Sequence, residues 1–153
     1  MQATHGTALA RALAVFGAVM VCTPSPGGTP AMAAGDLVTR SQRVPELVLG
    51  SPEDDYSVSR KDFEAETGRY YRWSVTSKGM KEYWWRAPDF FRNIWIRQIV
   101  INKLEVHTPA LEKFEFDDQG TIELDFIPIR SGTYKWWVDG LEDKGMTGTI
   151  TVK

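Results

Sequence analysis

A chain of 153 residues is long enough for about one domain, and its net charge of −2 argues against nucleic acid or an anionic membrane surface as a partner. Its single cysteine cannot form a disulfide within the chain, so a hydrophobic core must stabilise the fold, and a domain of this size can build one. The sequence contains no recognisable catalytic Ser-His-Asp set and no phosphate-binding loop. We therefore predict that the protein is not an enzyme.

Residues 1–33 have the features of a secretory signal peptide. Arg11 precedes the apolar run Ala12–Val21, which is too short to span a bilayer. A Pro/Gly-rich stretch then leads to the small-x-small motif Ala31–Ala33, a typical cleavage site. Lipid attachment at Cys22 is the alternative. We predict an exported protein, periplasmic or secreted, with no membrane-spanning segment after cleavage.

Downstream of the leader, the predicted elements are strands. Apolar residues alternate with polar ones in several segments, for example at Tyr71, Trp73 and Val75. Turn signals separate segments spaced by roughly ten residues, which is typical of a β-sandwich or barrel. The segment 107–116 is predicted as an irregular loop or one helical turn. In chain order, the strand signals fall at Glu46–Leu49, Tyr56–Ser59, Asp62–Glu66, Arg69–Val75, Asn93–Val106 (one bent strand or two), Thr121–Ile127, Thr133–Val138 and Met146–Lys153.

The chain ends on a pattern of glycines, aromatics and threonines: Gly132–Tyr134, Trp136 and Gly145–Val152. This pattern resembles the last two strands of the cupredoxin family, the fold of plastocyanin and azurin, which read approximately G-x-Y-x-F-x-C-x-x-H and then G-M-x-G-x-I-x-V. The resemblance covers residues 56–153 and implies an all-β, antiparallel Greek-key β-sandwich. Residues 34–55 are then predicted as an N-terminal extension of that domain.

The resemblance also assigns positions to the family's copper ligands. Val138 stands at the position of the copper cysteine, Leu141 at that of the copper histidine, and Met146 at that of the axial methionine. A type 1 (blue) copper centre needs two imidazoles and a thiolate beside a weak thioether. Once the leader is removed, the chain offers one imidazole, His107, and no thiolate. We therefore predict no type 1 copper and no electron-carrier function.

A second stretch, Val75–Val100, resembles cupredoxin-like domains of bacterial periplasmic metal-handling proteins, including domains beside iron-uptake systems. In those domains a glutamate stands near the first copper histidine, and here Glu82 holds that place. The resemblance implies a non-blue copper or iron site built from Glu82, Met146, Met80 and His107. The alternative is that Met146 fills the core and that the others are ordinary surface side chains. A membrane metal transporter or a periplasmic protein would be the partner of a metal-handling protein.

The six tryptophans suggest a second function. Adjacent Trp84 and Trp85 cannot both point inward from one strand, and Trp137 falls on the face opposite its inward neighbour. Exposed aromatic side chains mark recognition surfaces, so Trp84, Trp85 and Trp137 are candidates for binding a protein or a carbohydrate. The two hypotheses are thus an exported accessory protein that handles copper or iron, and a metal-free recognition module.

Overall fold

Two β-sheets pack face to face in the structure. The computed structural model describes residues 40–153, so the predicted leader and the possible anchor at Cys22 lie outside the described residues. The strands are β1 (Gln42–Arg43), β2 (Leu47–Leu49), β3 (Asp62–Ala65), β4 (Tyr71–Ser77), β5 (Tyr83–Arg86), β6 (Ile94–Ile101), β7 (Leu104–Val106), β8 (Lys113–Phe116), β9 (Gly120–Pro128), β10 (Gly132–Val138) and β11 (Thr147–Val152). One helical turn, α1, spans Pro88–Phe91, and a 3-10 turn spans Glu142–Lys144.

The strand order confirms the predicted β-sandwich. The first sheet has the order β1-β4-β9-β6-β7, with β2 also pairing with β4, and the second sheet has the order β3-β11-β10-β5-β8. Most pairs are antiparallel, but β1 and β2 run parallel to β4, and β3 runs parallel to β11. The sheets are therefore mixed rather than purely antiparallel. The reason lies in the connection, because the chain passes from β2 through β3 in the opposite sheet before it returns as β4.

The segment predicted as an N-terminal extension contributes to the first sheet. Leu47 and Leu49 of β2 have no exposed surface and lie in the hydrophobic core. The predicted strand Tyr56–Ser59 is instead a bend with one isolated bridge, between Leu49 and Val58. Residues 42–49 thus belong structurally to the sandwich that they were predicted to precede.

Aromatic side chains join the two sheets. The ring of Trp73 in β4 lies 4.6 Å from that of Phe63 in β3 and 5.3 Å from that of Trp85 in β5, measured between centroids. The helical turn α1, which the sequence analysis missed, adds Phe90 and Phe91 to this cluster. Each such pair stabilises the fold by about 0.5–1.5 kcal/mol beyond the burial of its area. None of the helices in residues 40–153 is long and apolar enough to cross a membrane.

Two predicted segments differ in detail from the structure. Asn93–Val106 divides into β6 and β7 at a tight turn, where Asn102 has a φ of 50°, a left-handed conformation that asparagine tolerates. Residues 113–116, predicted as a loop or helical turn, form β8 at the edge of the second sheet. Its four residues alternate towards and away from the core, but they lie at the end of a segment that was assigned to a loop as a whole.

Position 148 in β11 requires a glycine, because the backbone of Lys61, the residue just before β3, passes very close to it. The carbonyl oxygen of Lys61 accepts hydrogen bonds from Trp136 Nε1 at 2.8 Å and from the Thr149 N–H at 2.9 Å. A Cβ atom on Gly148 would collide with this oxygen and with the Trp136 indole, whereas a Cβ on Gly120 would meet open space. The two glycines therefore form a matched pair.

We expect Gly148→Ala to lower the free energy of unfolding by about 2 kcal/mol, because the collision is with backbone and cannot relax by a rotamer change. Gly120→Ala should change it by less than about 0.5 kcal/mol. Urea unfolding followed by tryptophan fluorescence measures both. Equal effects of the two substitutions would contradict the close approach of Lys61.

Candidate functional site

The positions that the resemblance assigns to copper ligands are packed into the core. Val138 and Met146 have no exposed surface, and Leu141 packs against the same cluster. The Val138 N–H donates to the Met146 carbonyl oxygen at 3.0 Å, which holds the ends of the loop together. Val138 and Leu141 carry no donor atom and the thioether of Met146 is enclosed by apolar neighbours, so these residues do not fit a copper centre.

Tyr83 closes the same end of the sandwich. It has no exposed surface, and its hydroxyl donates to the Asp55 carbonyl oxygen at 2.8 Å. The backbone approaches the hydroxyl closely at Gly50 and Gly79, where a Cβ atom would collide with it. Burial, with a smaller contribution from the nearby Asp55 carboxylate, raises the pKa of Tyr83 to about 12. The residue next to the predicted ligand Glu82 is therefore the one that points into the core.

Trp84 occupies the outer face of the second sheet. Its ring is 39% exposed, and the Nζ atom of Lys113 lies 3.6 Å from the ring centroid. Its Nε1 donates a hydrogen bond to the carboxylate of Glu82. The register of β5 and β8 places Trp84 opposite Glu115. We call the outward side chains of Glu82, Trp84, Lys113, Glu115 and Asp117 the Trp84 surface.

Three carboxylates converge at one side of the Trp84 surface. Glu82, Glu115 and Asp117 each place an oxygen atom within 4.8 Å of the others, and all three are exposed. The Nζ atom of Lys113 lies 2.5 Å from Glu115, and this hydrogen bond holds the pKa of Glu115 below its usual range. Glu82 was predicted as a ligand from the sequence, whereas Glu115 and Asp117 were not. The signal was the alternation Lys113-Phe-Glu-Phe-Asp117, which was assigned to a loop.

The four predicted metal ligands do not form one site. Met146 is buried in the core, whereas Glu82 lies on the outer face of the second sheet. Met80 is 79% exposed, and its sulfur is 3.8 Å from Gln119 Nε2. His107 follows β7 of the first sheet, with Nδ1 3.1 Å from the Arg97 carbonyl oxygen, and within residues 40–153 it joins no cluster of three metal-ligating side chains.

The structure also separates the three tryptophans predicted to bind a partner. Trp85 has no exposed surface and stacks on Phe114 at 5.6 Å, so it cannot contact a partner. Trp137 is half-buried, and its Nε1 donates to Asp139 Oδ1 at 2.7 Å. Trp84 remains on the surface. Trp95 of the first sheet, 48% exposed, was not singled out by the sequence analysis.

Arg86 connects the Trp84 surface to Trp137. It follows Trp84 by two residues on β5, and the register of β5 and β10 places it opposite Trp137. Its Nε atom lies 2.5 Å from Asp139, and its Nη1 atom lies 2.9 Å from Glu112. The hydrogen bonds that Arg86 donates to these two carboxylates, first of all the one to Asp139, raise the pKa of Arg86. The Arg86 guanidinium thus links Asp139 and Glu112 next to Trp84.

No protein-family model matches the chain, and no curated protein sequence matches it. Several solved structures resemble it, among them a multicopper oxidase from Campylobacter jejuni, a metallo-oxidase (12% identity, TM-score 0.54, 75% of this chain and 31% of that one). A multi-copper oxidase from Pediococcus acidilactici (16%, 0.56, 85% and 29%) and a copper nitrite reductase from Nitrosomonas europaea (14%, 0.53, 77% and 51%) are others. The chain spans at most about half the length of these proteins. At such identities the likeness shows the fold alone, which is cupredoxin-like.

The titration of Tyr83 predicts a loss of stability at high pH. Its pKa is raised from 10.0 to about 12 in the folded protein, so the folded state holds the proton more tightly than the unfolded state. The corresponding stability is complete below pH 10 and is lost as the pH rises towards 12. Urea unfolding between pH 8 and 12 should show that the wild-type protein loses roughly 1–2 kcal/mol more than Tyr83→Phe, allowing for solvent screening. Parallel curves for the two proteins would disprove this assignment.

Proposed function

We propose that this chain is a recognition module that binds a partner protein through the Trp84 surface. The observation that carries the proposal is a large aromatic ring held 39% exposed among charged groups, on a strand whose next residue, Trp85, is locked in the core. Tryptophan is enriched among the residues that dominate binding energies. Val138 and Leu141, at the positions of the family's copper cysteine and histidine, carry no metal-ligating side-chain atom, which argues against an electron-carrier role.

The Trp84 side chain is ordered before any partner arrives. The Lys113 ammonium covers one side of its ring, and the Glu82 carboxylate accepts from its Nε1. The backbone is fixed as well, because the Trp84 carbonyl oxygen accepts a hydrogen bond from the Asp139 N–H at 3.0 Å. A side chain that is already fixed loses little conformational entropy on binding. This supports a role as an anchor in an interface.

The predicted leader indicates in which compartment the partner would be found. If residues 1–33 direct export, the partner is a periplasmic or secreted protein, or the external part of a membrane metal transporter. A carbohydrate ligand is less well supported, because the ring of Trp84 already has a cation over one side.

A second candidate function is the handling of a metal ion at the Trp84 surface. The observation that favours it is the group of three oxygen atoms from Glu82, Glu115 and Asp117 within 4.8 Å. Carboxylates suit hard cations such as Ca²⁺ or iron better than Cu⁺. The metal site of this candidate function would consist of Glu82, Glu115 and Asp117, without the predicted ligands Met146 and His107.

Photocrosslinking tests the recognition function. A photoreactive amino acid in place of Glu82, in cells that produce the protein, should give a discrete adduct with one other protein. Adding Trp84→Ala should reduce this adduct by about tenfold or more, the loss expected when a central anchor is removed.

The control position is Asp89 in α1, whose side chain is 75% exposed, pairs with Arg92 and is not part of the Trp84 surface. No comparable adduct is expected there. Adducts of equal yield at both positions, or an adduct that is insensitive to Trp84→Ala, would rule out the Trp84 surface as the binding site.

Calorimetry tests the metal-handling candidate. Titration of the purified protein with Ca²⁺, Fe³⁺, Cu²⁺ and Cu⁺ should reveal one saturable site for a hard cation and none for Cu⁺. Glu82→Gln should abolish the binding because it removes one of three converging charges, while Met146→Leu should leave it unchanged. Binding that survives Glu82→Gln, or no saturable binding at all, would eliminate this candidate and leave recognition as the proposal.

A further inference from the structure

An apolar strip remains uncovered at the β6–β7 edge of the first sheet. The antiparallel register pairs Ile101 with Leu104 and Ile99 with Val106, so these four side chains share the face of the sheet that points to the core. Ile99 is buried, but Ile101, Leu104 and Val106 are 39%, 71% and 44% exposed. Strands β7 and β8 are the edges of their sheets, and neither has a second neighbouring strand. The inner face of the sandwich is thus open along this edge.

A groove with an acidic rim adjoins the strip. Its volume is about 250 Å³. Its lining contains no lysine or arginine; it includes the apolar residues Ile101, Phe116 and Ile122 and the acidic residues Glu115, Asp117 and Asp118. We call this groove, together with the side chains of Leu104 and Val106, the edge groove.

The charge of the edge groove is only partly compensated. Glu115 is paired with Lys113 at 2.5 Å, but within residues 40–153 Asp117 has no ion-pair partner. The carboxylate of Asp118 accepts a hydrogen bond from the Gln119 N–H at 2.7 Å and also has no cationic partner there. Apolar side chains beside uncompensated carboxylates are complementary to lysine and arginine, whose side chains carry a positive charge at the end of an apolar stem.

We infer that the edge groove binds an extended segment of a partner protein in which apolar side chains alternate with lysine or arginine. This inference rests on the proposed recognition function and names its partner class, since the groove shares Glu115 and Asp117 with the Trp84 surface. The apolar side chains cover Leu104 and Ile101, the basic side chains reach Asp117 and Asp118, and the backbone can pair with an edge strand.

Synthetic peptides test this partner class. The probe is an eight-residue peptide with capped ends that alternates lysine and valine, compared with a lysine–serine and a glutamate–valine peptide of equal length. The lysine–valine peptide should bind saturably in a fluorescence titration of the full protein. The lysine–serine peptide should bind about tenfold more weakly because it buries no apolar surface, and the glutamate–valine peptide should not bind.

Variants locate the binding. Asp117→Asn combined with Asp118→Asn should weaken the lysine–valine peptide by about fivefold at low salt, in line with exposed charge pairs. Leu104→Ser should weaken it to a similar extent without disturbing the core, because Leu104 is 71% exposed. The matched control is Asp89→Asn, an exposed carboxylate on α1, which should leave the affinity unchanged.

The other outcomes are decisive. Equal affinity for the lysine–valine and lysine–serine peptides would show that only charge attraction drives the binding, and it would overturn the inference. Concentration-dependent self-association that is lost in Leu104→Ser would identify a second copy of the chain as the occupant and also overturn it. Failure of all peptides with a persistent Glu82 adduct would overturn this partner class alone. Peptide binding as expected, without any adduct, would support the groove and refute the Trp84 surface as the binding site.

Discussion

The packing of Trp85 against Trp73 is the contact on which the rest of the molecule depends. The two rings meet edge to face at 5.3 Å between the sheets, and both are almost completely buried. Because side chains alternate along a strand, fixing Trp85 inward also turns Tyr83 inward and sends Trp84 outward. A single packing contact therefore both joins the two sheets and places the exposed anchor on the outer face.

The outer face of the first sheet also carries a carboxylate, but this one is buried and fully hydrogen-bonded within the protein. The carboxylate of Asp125 has no exposed surface, and Arg72 binds it through two hydrogen bonds of 2.7 and 2.8 Å. The Tyr70 hydroxyl donates to the same carboxylate at 2.8 Å and accepts from Arg97. The hydrogen bonds that Arg72 donates to Asp125 raise the pKa of Arg72. A charge-assisted network of this kind orders the face internally, whereas the carboxylates of the Trp84 surface are exposed to solvent.

The sequence predicted those parts of the fold in which a local pattern determines the outcome. β4, β9, β10 and β11 were predicted because their alternation extends over six residues or more. β1, β5, β8 and α1 were missed, since a segment of two to four residues gives a weak periodic signal; of the strands this short, β2 and β3 were predicted. The same limit applies to the candidate site. Glu82 and Trp84 could be identified from the chain alone, but Glu115 joins them only through the register of β5 with β8.

The N-terminal segment explains how this cupredoxin-like fold is closed, by contacts within the protein, at the end where Tyr83 lies. Residues 50–58 cross the end of the sandwich, where the Asp55 carbonyl oxygen accepts the Tyr83 hydroxyl and the Asp55 carboxylate accepts the Met80 N–H at 2.7 Å. Tyr56 lies between the ammonium groups of Lys81 and Lys144, each 5.6 Å from its ring centroid. These contacts connect loops that a metal would otherwise have to hold together. With this end closed, the two surfaces proposed to bind a partner lie elsewhere: the Trp84 surface on the second sheet, and the edge groove, to which both sheets contribute.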